Sequence, residues 1–107
     1  MRWIVETLNK TVDAELERLP ADQKAMFLRI AELIENHGLD RVHGPYVRHI
    51  RGKLWEMRMR GRDGISRALY VAVAGRRVVV VRVFQKKSQK TPRSEIELAL
   101  ARARTIA

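Results

Sequence analysis

Lys53-Leu-Trp-Glu-Met-Arg-Met-Arg60, Gly61-Arg-Asp-Gly64, Ile65-Ser-Arg-Ala-Leu-Tyr-Val-Ala-Val-Ala74 and, past Gly75, Val78-Val-Val-Val-Arg-Val-Phe84 form the stretch that decides the fold. In its first segment Trp55, Met57 and Met59 alternate with Glu56, Arg58 and Arg60. A period of two puts the apolar side chains on one face of a strand and the charged ones on the other. Gly61 to Gly64 reads as a turn, Ile65 to Ala74 is rich in β-formers, Gly75 makes the next turn, and Val78 to Phe84 is a nearly continuous apolar strand. Three consecutive strands joined by short turns predict an antiparallel meander.

Upstream, residues 39–52 hold Gly44, Pro45 and Gly52 among polar residues and read as a loop leading into the sheet. Before them the period is helical. Val12, Leu16 and Leu19 recur at four and three residues until Pro20 stops the helix; Asp22 then caps a second helix whose stripe is Met26, Phe27, Ile30, Leu33 and Ile34, ending near Gly38. Trp3 to Leu8 suits a first strand. Downstream, Thr91 as cap, Pro92 at the first helical position and the acidic Glu95 and Glu97 mark a helix start, with Ile96, Ala99, Leu100 and Ala103 on one face. The predicted order is β-α-α-β-β-β-α: one α+β domain over residues 1–107, with helices against one face of a mostly antiparallel sheet. No repeat, low-complexity tract or linker interrupts it.

The 107 residues suffice for one hydrophobic core and no more. Without cysteine, disulfides, thiolate zinc sites and cysteine nucleophiles are excluded, which fits a reducing cytoplasm. No apolar run approaches the roughly 20 residues of a membrane span, so a soluble, cytoplasmic protein that keeps its N-terminus is expected. The formal charge of +10 is unevenly placed. Residues 1–45 hold six Lys/Arg against eight Asp/Glu, a net of −2; residues 46–107 hold sixteen against four, a net of +12. Such concentration presents a patch to a polyanion, because each neutralised phosphate releases counterions.

Gly52-Lys-Leu-Trp-Glu-Met-Arg58, Gly64-Ile-Ser-Arg67-Ala-Leu-Tyr70 and Phe84-Gln-Lys86-Lys87-Ser-Gln-Lys90-Thr91-Pro92-Arg-Ser-Glu95-Ile96 resemble the HigB-like, phage Gp49-like branch of the RelE/ParE toxin superfamily. The last stretch is the most specific: a phenylalanine ending a valine-rich strand, a lysine pair, a Lys-Thr-Pro helix start and a Glu-Ile pair. The resemblance runs from about residue 50 to the end; the helical hairpin agrees in order only. It implies a microbial-RNase-like sheet with flanking helices and a toxin that cuts mRNA on the ribosome by attack of the ribose 2′-hydroxyl on the adjacent phosphodiester, with no metal or cofactor. It also implies neutralisation by a cognate helix-turn-helix antitoxin, HigA-like, in a toxin–antitoxin hetero-oligomer.

Such a reaction needs a base near the 2′-hydroxyl, positive charge on the phosphorane and a proton source for the leaving oxygen. The matching positions are Arg58, Arg67, Lys86 and Lys87, with Lys53, Arg60, Arg62 and Lys90 as further RNA-binding cations. Arginine is too weak an acid to serve as base, so Arg58 is assigned to phosphate or transition-state charge. Arg67 offers a bidentate fork, or alternatively a half-buried partner of Glu56. Glu56 reads as a salt-bridge partner of Arg58, Arg60 or Arg67 before it reads as a general base. His37, His43 and His49 lie outside metal-ligand spacing; His37 reads as a helix-dipole partner and His49 as a minor catalytic candidate. Trp55 and Met59 are assigned to the core and Tyr70 to structure. The last helix departs from some relatives in lacking a C-terminal tyrosine or Asp-Tyr-His ending; separately, the lack of a histidine pair and of a well-placed carboxylate pair predicts dependence on the ribosome. The competing readings are a ParE-like inhibitor of DNA gyrase and a non-catalytic nucleic-acid-binding module of the same fold.

Overall fold

A computed structural model describes residues 2–86 and 90–106, with the side chain of Lys86 left aside. Its elements are β1 (Ile4–Thr7), α1 (Lys10–Glu17), α2 (Ala21–His37), a 3-10 turn (Leu39–Arg41), β2 (Val47–Arg51), β3 (Leu54–Gly61), β4 (Gly64–Val73), β5 (Arg77–Lys86) and α3 (Arg93–Ala103). The five strands form one sheet in the order β1-β5-β4-β3-β2. β2 to β5 are an antiparallel meander, and β1 pairs in parallel with β5.

The meander and the three helices match the sequence reading, with two corrections. Residues 47–51, expected in a loop, form β2, with Arg48 opposite Glu56 and His49 opposite Trp55. Their own pattern is too polar to announce a strand; pairing with β3 through the hairpin at Gly52, whose φ is +55, makes them one. The helices also cover both faces of the sheet, not one. Val12, Phe27, Ile30 and Ile34 from α1 and α2 pack on Met57, Met59, Ala68, Tyr70, Val78 and Val80. On the other face Ala99 of α3, with Ile96, Leu100 and Ala103 beside it, packs on Leu54, Leu69, Val71, Val79 and Val81. β4 and β5 are apolar on alternate residues of both parities, so each face needs a cover.

The helix ends also differ from expectation. Asn9 caps α1 by accepting from the Val12 N–H at 3.1 Å. α2 begins at Ala21 without a side-chain cap, and Asp22 instead accepts the Arg62 N–H at 2.7 Å, tying the β3–β4 turn to the helix. Gly38 ends α2 at φ +89, as its position predicted. Gly61 sits where the turn touches α2. A Cβ there would lie 2.5 Å from Gln23 Cγ and 2.6 Å from Asp22 Oδ2. Gln23 is fully buried and holds the Ser66 hydroxyl and the Gly64 carbonyl, so it has little room to yield. Gly61→Ala is therefore expected to cost about 1–3 kcal/mol, read as a lower denaturation midpoint with an unchanged slope.

A carboxylate on α1 closes the free end of β5. Glu15, 6% exposed, accepts the Val83 N–H at 3.0 Å and pairs with Arg82 and Arg102, each at 2.8 Å. Arg82 in turn grips Glu95 of α3 at 2.6 Å. Burial alone would raise the Glu15 pKa, but the Val83 N–H, Arg102 and Arg82 outweigh it and hold the group below its ordinary 4.5. A depressed carboxylate contributes stability that is present above its unfolded pKa and lost as pH falls through the folded one. The domain is thus expected to weaken below about pH 4.5. Glu15→Gln should flatten that acid limb while lowering stability at neutral pH, as pH-dependent chemical denaturation would show.

Candidate nucleic-acid interface

β3 and β4 carry the expected cations into register on the α3 face, beyond the end of that helix. Rows across the sheet read Arg48–Glu56–Leu69–Arg82, then Arg58–Arg67–Phe84, then Arg60–Ile65–Lys86. Glu56 lies at the centre with no exposed surface. Its Oε2 accepts from Arg58 Nε at 3.1 Å, and its Oε1 accepts from the Thr91 hydroxyl at 2.6 Å and lies 3.6 Å from Arg67 Nε. Thr91, read from sequence as a helix cap, spends its hydroxyl on Glu56 and leaves the N-cap position to Pro92. The salt-bridge reading of Glu56 thus holds for Arg58 and Arg67. Both carboxylate oxygens face donors and neither is open to solvent, so the group fixes the guanidinium groups around it.

Arg67 is fully buried. The expectation that its fork meets a phosphate gives way to the alternative of a structural partner of Glu56, because a side chain without exposed surface in this arrangement offers RNA no face. Burial lowers its pKa; Glu56 opposes the shift, and Arg58 and Arg48 add to it. The Arg58 side chain, 12% exposed, is the member of the pair that reaches solvent. Arg60, Arg62 and Lys90 are exposed. Lys53 is exposed at the opposite end of β3, beside the last turn of α3, and so stands apart from the cluster. Lys86 is placed by its backbone opposite Ile65, and Lys87 lies outside the described residues.

The other readings resolve around this cluster. Met59 is fully buried, whereas Trp55, assigned to the core, is 39% exposed at the sheet margin, because the helices on its face stop short of β2. It meets His49 edge to face at 5.1 Å and lines a cavity of about 390 Å³ with Tyr70, Val42 and His43. His49 bonds the Gly52 carbonyl at 2.7 Å and stands opposite Trp55, on the face away from Arg58. Tyr70 is structural: burial pushes its phenol far above the ordinary range. Sequence reasoning missed Arg48, because β2 was not seen as a strand. It also missed the Glu15–Arg82–Glu95 chain, whose paired members lie 67 (82 − 15) and 13 residues apart and leave no spacing to read.

Glu56, a fully buried carboxylate, is thus ringed by arginines on the part of the sheet face that lies beyond the start of α3. The phage-derived Gp49-like family profile matches residues 14–104, and the chain belongs to that family, within the RelE/ParE toxin superfamily that the sequence resembles. The fold is that of RelE. The E. coli toxin RelE in its free state, a double arginine-to-alanine mutant, superposes with a TM-score of 0.64 at 14% identity over the whole of both chains. A chain of the archaeal RelE–RelB complex from Pyrococcus horikoshii OT3 gives 0.59 at 20% identity, covering 84% of this chain and all of that one. No curated protein sequence matches this chain. No helix among the described residues is long and apolar enough to cross a membrane.

Proposed function

We propose that the protein is the toxin of a type II toxin–antitoxin system, a ribosome-dependent mRNA endoribonuclease working in the cytoplasm. The observation that carries the reading is the cluster itself. Arg48, Arg58 and Arg67 surround one carboxylate, Glu56, so the patch keeps a formal charge of +2 in a partly desolvated setting where an anion is strongly favoured. Membership of the Gp49-like family and the RelE fold support an RNA phosphodiester as that anion.

In this reading Arg58 stabilises the charge that develops on the phosphorane as the 2′-oxygen attacks. Glu56, itself braced by Arg67 and Thr91, holds it there with its side chain already ordered, so the reorganisation is complete before the substrate arrives. Lys86, the last residue of β5, and Lys87 after it in the sequence are assigned to phosphate clamping or proton donation, and Arg60, Arg62, Lys90 and the more distant Lys53 to the RNA path. Glu56 is already held by three donors, so in this reading the 2′-hydroxyl proton passes to water or a group of the ribosome's decoding site, which also aligns that hydroxyl for attack. The partners are then the ribosome, its mRNA and a cognate helix-turn-helix, HigA-like antitoxin held in a hetero-oligomer.

Expression of the chain should arrest growth, and co-expression of the helix-turn-helix reading frame beside its gene should restore it. Purified protein should leave naked RNA uncut at physiological salt. Growth arrest with intact mRNA and inhibited DNA supercoiling would replace this reading with the gyrase one.

A further inference from the structure

Arg48 stands directly opposite Glu56, which puts it on the same sheet face as Arg58 and Arg67, and its charge is felt at Arg67. It is exposed, and among the described residues no carboxylate pairs with it: Glu56, its neighbour in register, is taken by Arg58, Arg67 and Thr91. Beside it a groove of about 440 Å³ runs between β2 and the start of α3, lined by Arg48, His49, Ile50, Lys90, Thr91 and Ile96. Thr91 is the residue whose hydroxyl grips Glu56, so this groove and the Arg58 cluster share a wall.

The lining has two chemistries. Arg48 and Lys90 supply positive charge, and Ile50 and Ile96 supply an apolar wall. A phosphate alone would use the first and leave the second idle; a nucleotide uses both, through its phosphate and its base. Arg48 and Arg58 lie one strand apart and two residues along, about 4.8 Å by about 6.6 Å, a step that a single extended nucleotide can bridge. We infer that this groove holds the nucleotide next to the scissile phosphate, with its phosphate at Arg48 and Lys90 and its base against Ile50 and Ile96. The inference rests on the RNA-cleaving reading and makes Arg48 a substrate-binding residue of that site.

Binding of a six-nucleotide RNA carrying a single central 2′-deoxy sugar, followed by fluorescence anisotropy over a salt series, tests this. Arg48→Ala should weaken binding on the order of tenfold or more, as loss of a charge-assisted contact does. It should also reduce the slope of log K against log salt by about 0.7, one phosphate's worth for a single strand. The gain in affinity from a dinucleotide to the hexamer should shrink with it, and the melting temperature should stay within a few degrees of the parent, as for an exposed residue. If Arg58→Ala weakens binding while Arg48→Ala keeps the parental affinity, slope and length dependence, the groove is not a nucleotide site and the RNA reading stands. If the unmodified protein shows no salt-dependent RNA binding, the groove's assignment falls, while the RNA-cleaving reading is decided separately by primer extension with ribosomes present.

Discussion

Arg67→Ala is expected to lower the melting temperature by on the order of 10–40 °C. The substitution empties the space of a fully buried side chain and removes one of the two guanidinium partners of a fully buried carboxylate, leaving Arg58 and Thr91 to hold it; cavity and one-sided loss together cost about 3–5 kcal/mol. In a domain of this size each kcal/mol moves the midpoint by roughly 4–8 °C. Arg67→Lys should recover little, since a point charge on a shorter stem cannot replace the planar fork in a closed site. Adding Glu56→Gln to Arg67→Met should recover much of the loss by removing both charges together. Calorimetry on the three variants checks this; an unchanged midpoint for Arg67→Ala would mean that the pair is open to water and that the burial argument fails.

Arg58→Ala is expected to separate activity from folding. The side chain reaches solvent, and Glu56 keeps Arg67 and Thr91 after its loss, so the stability cost should stay near that of one hydrogen bond to a charged group, about 1.5–3 kcal/mol. Cleavage should fall about 100-fold or more, the usual cost of removing a donor aimed at developing charge. Growth arrest should disappear at ordinary expression levels. A folded Arg58→Ala protein that remains fully toxic would remove Arg58 from the chemistry.

Sequence reasoning went furthest where a pattern was local. The period-two alternation of Trp55 to Arg60, the glycine turns and the stripe from Met26 to Ile34 each lie within one element, so the meander and the hairpin of helices were legible. Strand β2 was not, because Val47 to Arg51 owes its conformation to its partner strand and not to its own alternation. Losing that strand hid Arg48. The site was legible as a set of residue types but not as a depth order. Arg58 and Arg67 share a face in sequence pattern, and only the strand order, which puts Arg67 on the central β4 and Arg58 on β3 nearer the edge, distinguishes the sealed side chain from the one that reaches solvent. Glu15 is the extreme case: a mid-helix glutamate looks solvated in sequence, yet it closes the β5 edge at Val83, 68 residues away.

Primer extension on mRNA in a reconstituted translation system tests the central claim most directly. With the protein added, new 5′ ends should appear inside the open reading frame in step with ribosome position. They should be absent when ribosomes are omitted and reduced about 100-fold or more with Arg58→Ala. Intact mRNA in the presence of actively translating ribosomes and folded protein, or equal cutting with and without ribosomes, would contradict it.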